Sequence, residues 1–341
     1  MAQTISVLGI DIAKHVFHVV GMDDAGHVVL RKRLARSELL HVIATLPAAL
    51  LGMEACGGAH YWARCFRAHG HEGRLIAPQF VKPYVKSPKS DARDAEAICE
   101  AVTRPTMRFV PIKRVEPQDL QARHRVRARL IKARTALGNE IRGLLHEYGI
   151  VLPQGITKFR ALLTDKLQQE QAKLTALSAE LFWQLYDEFQ VLEKRLVSYN
   201  EQLAALGQAH PECQRLHTIP GIGPVTATAL IAAIGDATQF KNGRQLAAWL
   251  GLVPREHSTG GKPRLFGISK RGDGYLRTLL VHGARATLRW IETKPDDRSR
   301  WVRALIARRG KNRAAVALNK NARTAWALLV HHQEYRAKTA A

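Results

Sequence analysis

The first third of the chain alternates short apolar runs with amphipathic segments. Residues 5–33 contain three short runs rich in β-branched and aromatic residues, and MDDAGH between the second and third has the composition of a hairpin turn. Helical and strand patterns then alternate through SELLHVIATL, ALLGMEA, HYWARCFRAHG and GRLIAP. A three-strand meander followed by alternating helices and strands predicts a mixed α/β sheet, which we assign to residues 1–112.

The pattern changes to helical spacing over residues 113–208. LIKARTALGNEIRGLL and FWQLYDEFQVLEKRLVSYNEQLAAL carry apolar residues at helical intervals, with few Gly or Pro. YGIVLPQGI, with Pro153 and Gly155, reads as the bend between two long helices. The sequence thus predicts a coiled-coil helical hairpin, which could act as a spacer or as a dimerisation device because its apolar stripe needs a partner.

A third region, residues 209–341, combines a glycine turn with helical patterns. LHTIPGIGPVTATALIAAIG has the h-x-G-x-G turn of a helix-hairpin-helix, in which Gly221 and Gly223 let backbone amides approach a phosphate. The alternative is a tight glycine turn between packed helices. Trp290, Trp301 and Trp326 lie in amphipathic helical patterns and are predicted to be core residues.

Charge narrows the choice of partner. The chain of 341 residues has 52 Lys and Arg against 29 Asp and Glu, a net charge of +23, while 46% of its residues are apolar. Residues 254–341 alone hold 20 Lys and Arg against 6 Asp and Glu. Since cations that neutralise phosphates release counterions, this folded and basic chain is predicted to bind nucleic acid.

Membrane insertion and cysteine chemistry are not indicated. The opening MAQTISVLGIDIA lacks a signal-peptide pattern, and no run reaches the roughly 18 apolar residues of a membrane span. We therefore expect a cytoplasmic protein. Its four cysteines form no C-x-x-C pair, so neither a zinc site nor a disulfide framework is predicted.

Four carboxylates stand out against this basic background. Asp11 lies inside the apolar run VLGIDIA, and Glu54 ends the run LLGMEA. Burying a charge without a partner costs roughly several kcal/mol, so carboxylates at these positions need a reason. Asp91 and Asp94 in KSDARDAEAI are three residues apart and share a helix face, where they repel unless a cation lies between them. Acidic residues in a first helical turn would explain that pair alone. All four together predict a Mg²⁺ site.

A glycine-rich basic segment surrounds one short hydroxyl pair, Ser258 and Thr259. Physics alone favours a flexible loop following a phosphate backbone, because serine is a poor nucleophile until a base or cations activate it. His257 is adjacent in sequence and receives no role. The candidate nucleic-acid-binding cations of this segment are Arg255, Lys262, Arg264, Lys270, Arg271 and Arg277.

The ordered set of motifs resembles one known family. LGIDIAK, LGMEACGG, KSDARDAEAI, the helical arm, LHTIPGIGPVTATALIAAIG, NGRQLAAWLGLVP and HSTGGKPRLFGISKRGDGYLR are similar to the IS110 family of insertion-sequence transposases, in its IS1111 branch. The resemblance covers essentially the whole chain. It implies a RuvC-like domain of ribonuclease H fold with a D-E-D-D tetrad, which falls on Asp11, Glu54, Asp91 and Asp94.

The resemblance also implies chemistry and partners. Ser258 matches the nucleophilic serine of the family's C-terminal transposase domain, and Thr259 stands where many members have a second serine. Members recombine donor and target DNA under the guidance of an element-encoded bridge RNA. They act as homo-oligomers, dimer to tetramer, whose composite sites join the tetrad of one subunit to the serine of another.

Three other functions fit part of the pattern. A metal-dependent nuclease of the junction-resolvase type would use the tetrad and water without Ser258. A non-catalytic nucleic-acid-binding protein would need only the glycine turn and the basic segment. The meander also begins actin-like ATPase folds, but no later glycine-rich adenosine motif follows a strand and the basic last quarter would be unexplained.

Overall fold

The computed structural model describes residues 5–86, 90–317 and 320–336. The chain separates into two compact units, Met1–Glu116 and Pro117–Ala341.

The first unit is built on a six-stranded mixed sheet. Its strands are β1 (Val7–Ile12), β2 (Val16–Met22), β3 (Val28–Ala35), β4 (Leu50–Glu54), β5 (Glu72–Ile76) and β6 (Phe109–Val110). The spatial order is β3-β2-β1-β4-β5-β6. The first three strands pair antiparallel, β4 and β5 join β1 in parallel, and β6 closes the edge antiparallel. The predicted meander and mixed sheet are confirmed.

Helices cover both faces of this sheet. They are α1 (Arg36–Ala44), α2 (Ala59–Ala68), α3 (Pro78–Val81) and α4 (Asp91–Val102). Leu8 and Ile10 of β1 belong to the core shared with α1 and α2, whereas Val7 belongs to the core shared with α4. This split follows from strand geometry, since successive side chains point to opposite faces.

Two glycines let α4 lie unusually close to the sheet. A Cβ added to Gly9 would lie 2.0 Å from the Ala95 carbonyl oxygen, and one added to Gly52 would lie 2.8 Å from Ile98 Cγ2. These positions are register partners on β1 and β4. The absence of side chains at the two positions therefore sets how closely α4 packs on the central strands.

We expect Gly9→Ala to destabilise the first unit by about 3 kcal/mol, because the new methyl group would overlap backbone that cannot move independently. The measurement is the free energy of unfolding in urea, followed by hydrogen exchange of peptides from β1 and β4. Gly57→Ala is the matched control, since no heavy atom lies within 4 Å of its added Cβ. Equal stability of the two variants would contradict this account of α4 packing.

The second unit begins with long helices. They are α5 (Val115–His146), α6 (Ile156–Gln169) and α7 (Ala176–Ala209). Arg127 Nε donates to Asn200 Oδ1 at 2.7 Å and Arg134 Nη1 to Glu193 Oε1 at 2.9 Å, so α5 and α7 run antiparallel. The two predicted long helices are present, but the Pro153 bend leads into α6 rather than directly into the second of them.

A buried carboxylate ties these three helices together. Glu193 of α7 accepts hydrogen bonds from Arg134 of α5 and from Arg160 of α6, each at 2.9 Å. Apolar side chains from all three helices, including Leu137, Phe159 and Phe189, form the core around this ion triad. The charged triad therefore fixes which faces of the helices meet.

The remaining elements of the second unit enclose two apolar cores, the larger of which surrounds the buried helix α9. They are α8 (Pro211–His217), α9 (Pro224–Ile234), α10 (Gly243–Trp249), β7 (Pro254–Glu256), β8 (Leu265–Ile268), α11 (Gly274–Thr287), α12 (Asp297–Arg309), α13 (Lys311–Ala317) and α14 (Lys320–His331). Trp326 lies against this core and donates to the Phe240 carbonyl oxygen at 3.0 Å. The prediction that Trp290 is a core residue is wrong, because 65% of its surface is exposed.

A buried histidine joins three helices of this unit. His124 of α5 lies within hydrogen-bond distance of Tyr275 Oη, 3.0 Å, and Thr228 Oγ1, 3.1 Å. Burial, and secondarily the positive charge of Arg127, lowers the pKa of His124 to about 4. The folded state therefore favours the neutral form of the His124 imidazole.

This arrangement makes the second unit sensitive to acid. In the unfolded chain His124 regains a pKa near 6.5, so below that pH the unfolded state binds more protons and stability falls until about pH 4. Between pH 7.5 and pH 5 we expect a loss of about 2 kcal/mol in the free energy of unfolding. Urea unfolding, read by hydrogen exchange of α9 peptides, measures it. His124→Gln, which does not titrate, should lack this part of the pH dependence; equal slopes would contradict the assignment.

Candidate functional site

Two of the four predicted carboxylates meet at one edge of the sheet. β1 and β4 are parallel, with Ile10 opposite Met53, and the same register continued by one residue places Asp11 beside Glu54. Both side chains are half-buried. Burial, then the negative charges of Glu54 and Asp11, raises the pKa of the nearby Cys56 thiol. Negative charge is thus concentrated where the two strands end.

The other two carboxylates begin α4. Asp91 and Asp94 lie in its first turn, and Asp91 Oδ2 lies 3.7 Å from His18 Nδ1. His18 is the register partner of Asp11 on β2. The start of α4 therefore lies near the same edge of the sheet as Asp11, while 66% of the Asp91 side chain remains exposed.

Ion pairs orient α4 over the sheet. Arg31 of β3 donates to Glu96 at 2.9 Å, and Lys86 donates to Glu100 at 2.7 Å. Lys86, which precedes KSDARDAEAI, thus has a partner on α4, while Lys89, the first residue of that motif, lies outside the described residues. The acidic residues of α4 therefore divide into two groups. Glu96 and Glu100 form ion pairs with other elements, and Asp91 and Asp94 lie at the N-terminus of the helix.

The chemistry of this donor set suits a hard divalent cation. Four carboxylates from β1, β4 and α4 provide oxygen ligands of the kind that Mg²⁺ prefers. Over the described ranges, no three His, Cys, Asp or Glu side chains form a group that could already hold a metal ion. The side chains fit the metal by type and by the edge of the sheet to which they belong.

Ser258 lies in the second unit, on an exposed hairpin. β7 and β8 form a two-stranded antiparallel sheet, and the turn between them is closed by a bridge from Thr259 to Lys262. Ser258 Oγ donates to Glu256 Oε1 at 2.5 Å and accepts the Arg264 backbone N–H at 3.4 Å. At this turn the Ser258 hydroxyl therefore lies between the Glu256 carboxylate and the Arg264 backbone.

The predicted cations divide into two groups. Arg255, Lys262 and Arg264 are exposed on the hairpin, and the guanidinium groups of Arg255 and Arg264 lie over the Phe266 ring at 5.9 and 5.3 Å. Lys270 and Arg271 are also exposed, beyond β8. By contrast, Arg277 is partly buried and donates to the Leu250 carbonyl oxygen at 3.1 Å. The structure thus gives Arg277 a partner within the fold.

The two turn glycines also differ. Gly221 has φ +92° and touches α11: an added Cβ would lie 2.8 Å from the Gly283 carbonyl oxygen. Close packing accounts for this glycine. Gly223 precedes α9, and a Cβ added there would meet no heavy atom within 4 Å, so the space in front of its backbone is open.

Two residues near the candidate sites, His18 and Glu256, are not predicted from the sequence to have a role. His18 becomes apparent only through the β1–β2 register, and its Nδ1 atom is shielded from solvent without a hydrogen-bond partner. Glu256 has a signal in the sequence, because it is the sole acidic residue between Asp236 and Asp273 and stands two positions before Ser258.

Comparison with known proteins covers nearly the whole chain. Residues 8–150 match the DEDD transposase family model of the IS110 type, and residues 213–307 match the model described as transposase IS116/IS110/IS902 family.

No described helix is both long and apolar enough to span a membrane.

Full-length relatives agree with the family models. A probable family 20 transposase of Pseudomonas aeruginosa is 54% identical over 98% of this chain and 99% of its own length. The transposase for insertion sequence element IS1111A of Coxiella burnetii is 49% identical over 98% of this chain and 92% of its own. The transposase for insertion sequence element IS1328 of Yersinia enterocolitica is 40% identical, over 94% and 96%. This chain therefore belongs to the IS110/IS116/IS902 family of transposases, enzymes that cleave DNA and transfer its strands.

Proposed function

We propose that this transposase cuts and rejoins DNA through a phosphoserine intermediate at Ser258, assisted by Mg²⁺ held by Asp11, Glu54, Asp91 and Asp94. The observation that carries the serine assignment is the hairpin itself. Ser258 lies at an exposed turn, and its Oγ atom is hydrogen-bonded to the Glu256 carboxylate. The nearby cations Arg255, Lys262 and Arg264 are exposed to solvent. A hydroxyl so placed can reach a phosphodiester while the cations contact the adjoining phosphates.

The reaction divides into two exchanges of one phosphate bond. Ser258 Oγ attacks phosphorus, a serine–phosphate bond forms, and the bond to the 3′ oxygen breaks to leave a free 3′-hydroxyl. Attack by a 3′-hydroxyl on the phosphoserine then restores the serine and seals the new junction. Because each step replaces one phosphate ester by another, no ATP is needed. A divalent cation supplies charge stabilisation to the phosphoryl transfer when bound.

The remaining residues have supporting roles in this proposal. Lys270, Arg271 and the backbone ahead of α9 at Gly223 contact phosphates, whereas Gly221 sets the turn and Arg277 holds the loop in place. Residues 1–112 act as the RuvC-like catalytic domain, residues 113–208 as the coiled-coil arm, and residues 209–341 as the transposase domain with its helix-hairpin-helix. The net charge of +23 supports the proposed contacts with phosphates.

The partners proposed are two DNA duplexes, an element-encoded bridge RNA and further copies of this chain, dimer to tetramer. A folded RNA is held mainly through its shape, phosphates and 2′-hydroxyls, which suits a surplus of Lys and Arg. The arm supports association, because α7 exposes Leu177 at 80% and Val191 at 55% and exposed apolar helix residues favour a partner.

A covalent-trapping experiment tests this function. The protein is expressed with its native flanking DNA, so that any guide RNA is made, and is supplied with labelled donor and target DNA and Mg²⁺. We expect a protein–DNA adduct on denaturing gels, and mass spectrometry of the digested adduct should place the phosphate on Ser258. Cut DNA with no adduct at any time point would contradict the serine mechanism.

A further inference from the structure

Glu256 is the polar partner of the proposed nucleophile. Its Oε1 atom lies 2.5 Å from Ser258 Oγ, a distance typical of an O–H donor to a charged acceptor. The two residues are separated by one position at the end of β7, and the hydrogen bond shows that their side chains meet. The Arg264 backbone N–H approaches the same oxygen at 3.4 Å. Ser258 Oγ therefore has an acceptor for its proton and a donor toward its lone pairs.

The adjacent histidine does not compete for this role. The ring of His257 packs edge-on against the ring of Phe266, with centroids 5.4 Å apart. Its backbone N–H donates to the Arg264 carbonyl oxygen across the hairpin. The observed contacts of His257 are therefore with Phe266 and Arg264, whereas the Ser258 hydroxyl contacts Glu256.

The charge surroundings make Glu256 unusual. It is the single acidic residue between Asp236 and Asp273, within a segment whose exposed cations include Arg255, Lys262 and Arg264. Among the ion pairs within 4 Å in the described residues, none involves Glu256, although both arginines lie on the same hairpin. A carboxylate in a phosphate-contacting loop weakens DNA binding by repulsion. Its position beside the serine gives it a chemical use.

We infer that Glu256 is the general base that activates Ser258; the inference rests on the proposed phosphoserine mechanism. As Ser258 Oγ bonds to phosphorus, its proton passes to Glu256 Oε1 and the electron pair of the breaking bond leaves with the 3′ oxygen. That oxygen takes a proton from solvent and becomes the 3′-hydroxyl. In the resealing step the attacking 3′-hydroxyl loses its proton to solvent as its oxygen bonds to phosphorus, and the protonated Glu256 returns its proton to Ser258 Oγ, which is then the leaving group. Proton and charge therefore balance over the cycle.

Glu256→Gln tests this role. Glutamine keeps the shape and the acceptor oxygen but cannot take the proton, so we expect the rate of adduct formation at pH 7.5 to fall by roughly 100-fold or more. DNA affinity should stay equal or rise, because a negative charge is removed from a basic loop. Raising the pH should partly restore the rate of Glu256→Gln, since hydroxide replaces the missing base.

Glu292→Gln is the matched control, because it removes the same charge from an exposed position of the same unit. It should form the adduct at the wild-type rate. If wild-type protein forms the adduct and Glu256→Gln forms it equally fast, the inference fails while the phosphoserine mechanism stands. A slower variant whose loss is matched by weaker DNA binding also overturns it. If wild-type protein forms no adduct, the proposed function fails and the inference fails with it.

Discussion

Ser258→Ala is expected to abolish covalent capture of DNA and, with it, strand exchange. Removing Oγ leaves no atom to bond to phosphorus, and serine nucleophiles removed from other enzymes cost on the order of 10⁴-fold or more. The side chain is exposed at a hairpin turn and contacts Glu256 and Arg264, so the fold should be unaffected. The measurement is the yield of protein-linked DNA on denaturing gels, with DNA affinity measured in parallel.

Thr259→Ala provides the matched control for the serine. Thr259 is the neighbouring hydroxyl, and its contact with Lys262 across the turn runs through the backbone, which alanine preserves. We expect near-normal adduct formation in this variant. Loss of the adduct in Thr259→Ala with retention in Ser258→Ala would move the nucleophile by one residue. Cleavage that persists when both changes are combined in one chain would exclude a hydroxyl nucleophile at this turn.

Asp11→Asn should reduce DNA cleavage by a factor on the order of 10³, through loss of charge stabilisation of the transferring phosphate. Asparagine preserves the size of the side chain at the end of β1 but removes the charge that Asp11 contributes beside Glu54. Because the two side chains have the same size and shape, the variant should keep the fold of the wild type. A lost activity combined with an intact fold would identify a functional charge.

Metal dependence gives this prediction a second readout. A cation that binds the folded state raises its stability by mass action, so wild-type protein should show a higher Tm in millimolar Mg²⁺. Asp11→Asn should show little or no such rise. Asp24→Asn, an exposed change in the turn after β2, should respond like the wild type. An Asp11→Asn variant with wild-type cleavage and a wild-type Mg²⁺ response would remove Asp11 from the site.

Predictions from local pattern succeeded where one short segment carried the signal. The alternation of apolar residues in VLGIDIA and LLGMEA is confirmed as β1 and β4, and the MDDAGH turn joins β2 to β3. The sequence predicts the bend at Pro153 but not α6, because the fourteen residues of that helix continue the helical spacing of their neighbours. The prediction for Trp290 fails because an aromatic residue in a helical pattern does not reveal which side of the helix is covered.

The candidate sites divide in the same way. Residue chemistry was readable: four carboxylates in a basic chain, and one serine among glycines and cations. The residues that lie next to them are not predictable in this way. His18 is placed beside Asp11 by strand pairing, and Glu256 is placed beside Ser258 by a hydrogen bond. Gly221 and Arg277, predicted to contact nucleic acid, have packing and hydrogen-bond partners inside the fold that lie far away in sequence.

By itself the sequence determined the order of strands and helices, the carboxylate and serine chemistry, and a strongly basic last quarter, because periodicity, residue type and charge are properties of short stretches. Only the folded chain shows that α4 rests on Gly9 and Gly52, that Asp91 lies near His18, and that Arg277 donates to the Leu250 carbonyl oxygen. These depend on strand register and helix packing, which join residues tens of positions apart and are fixed by the fit of whole surfaces.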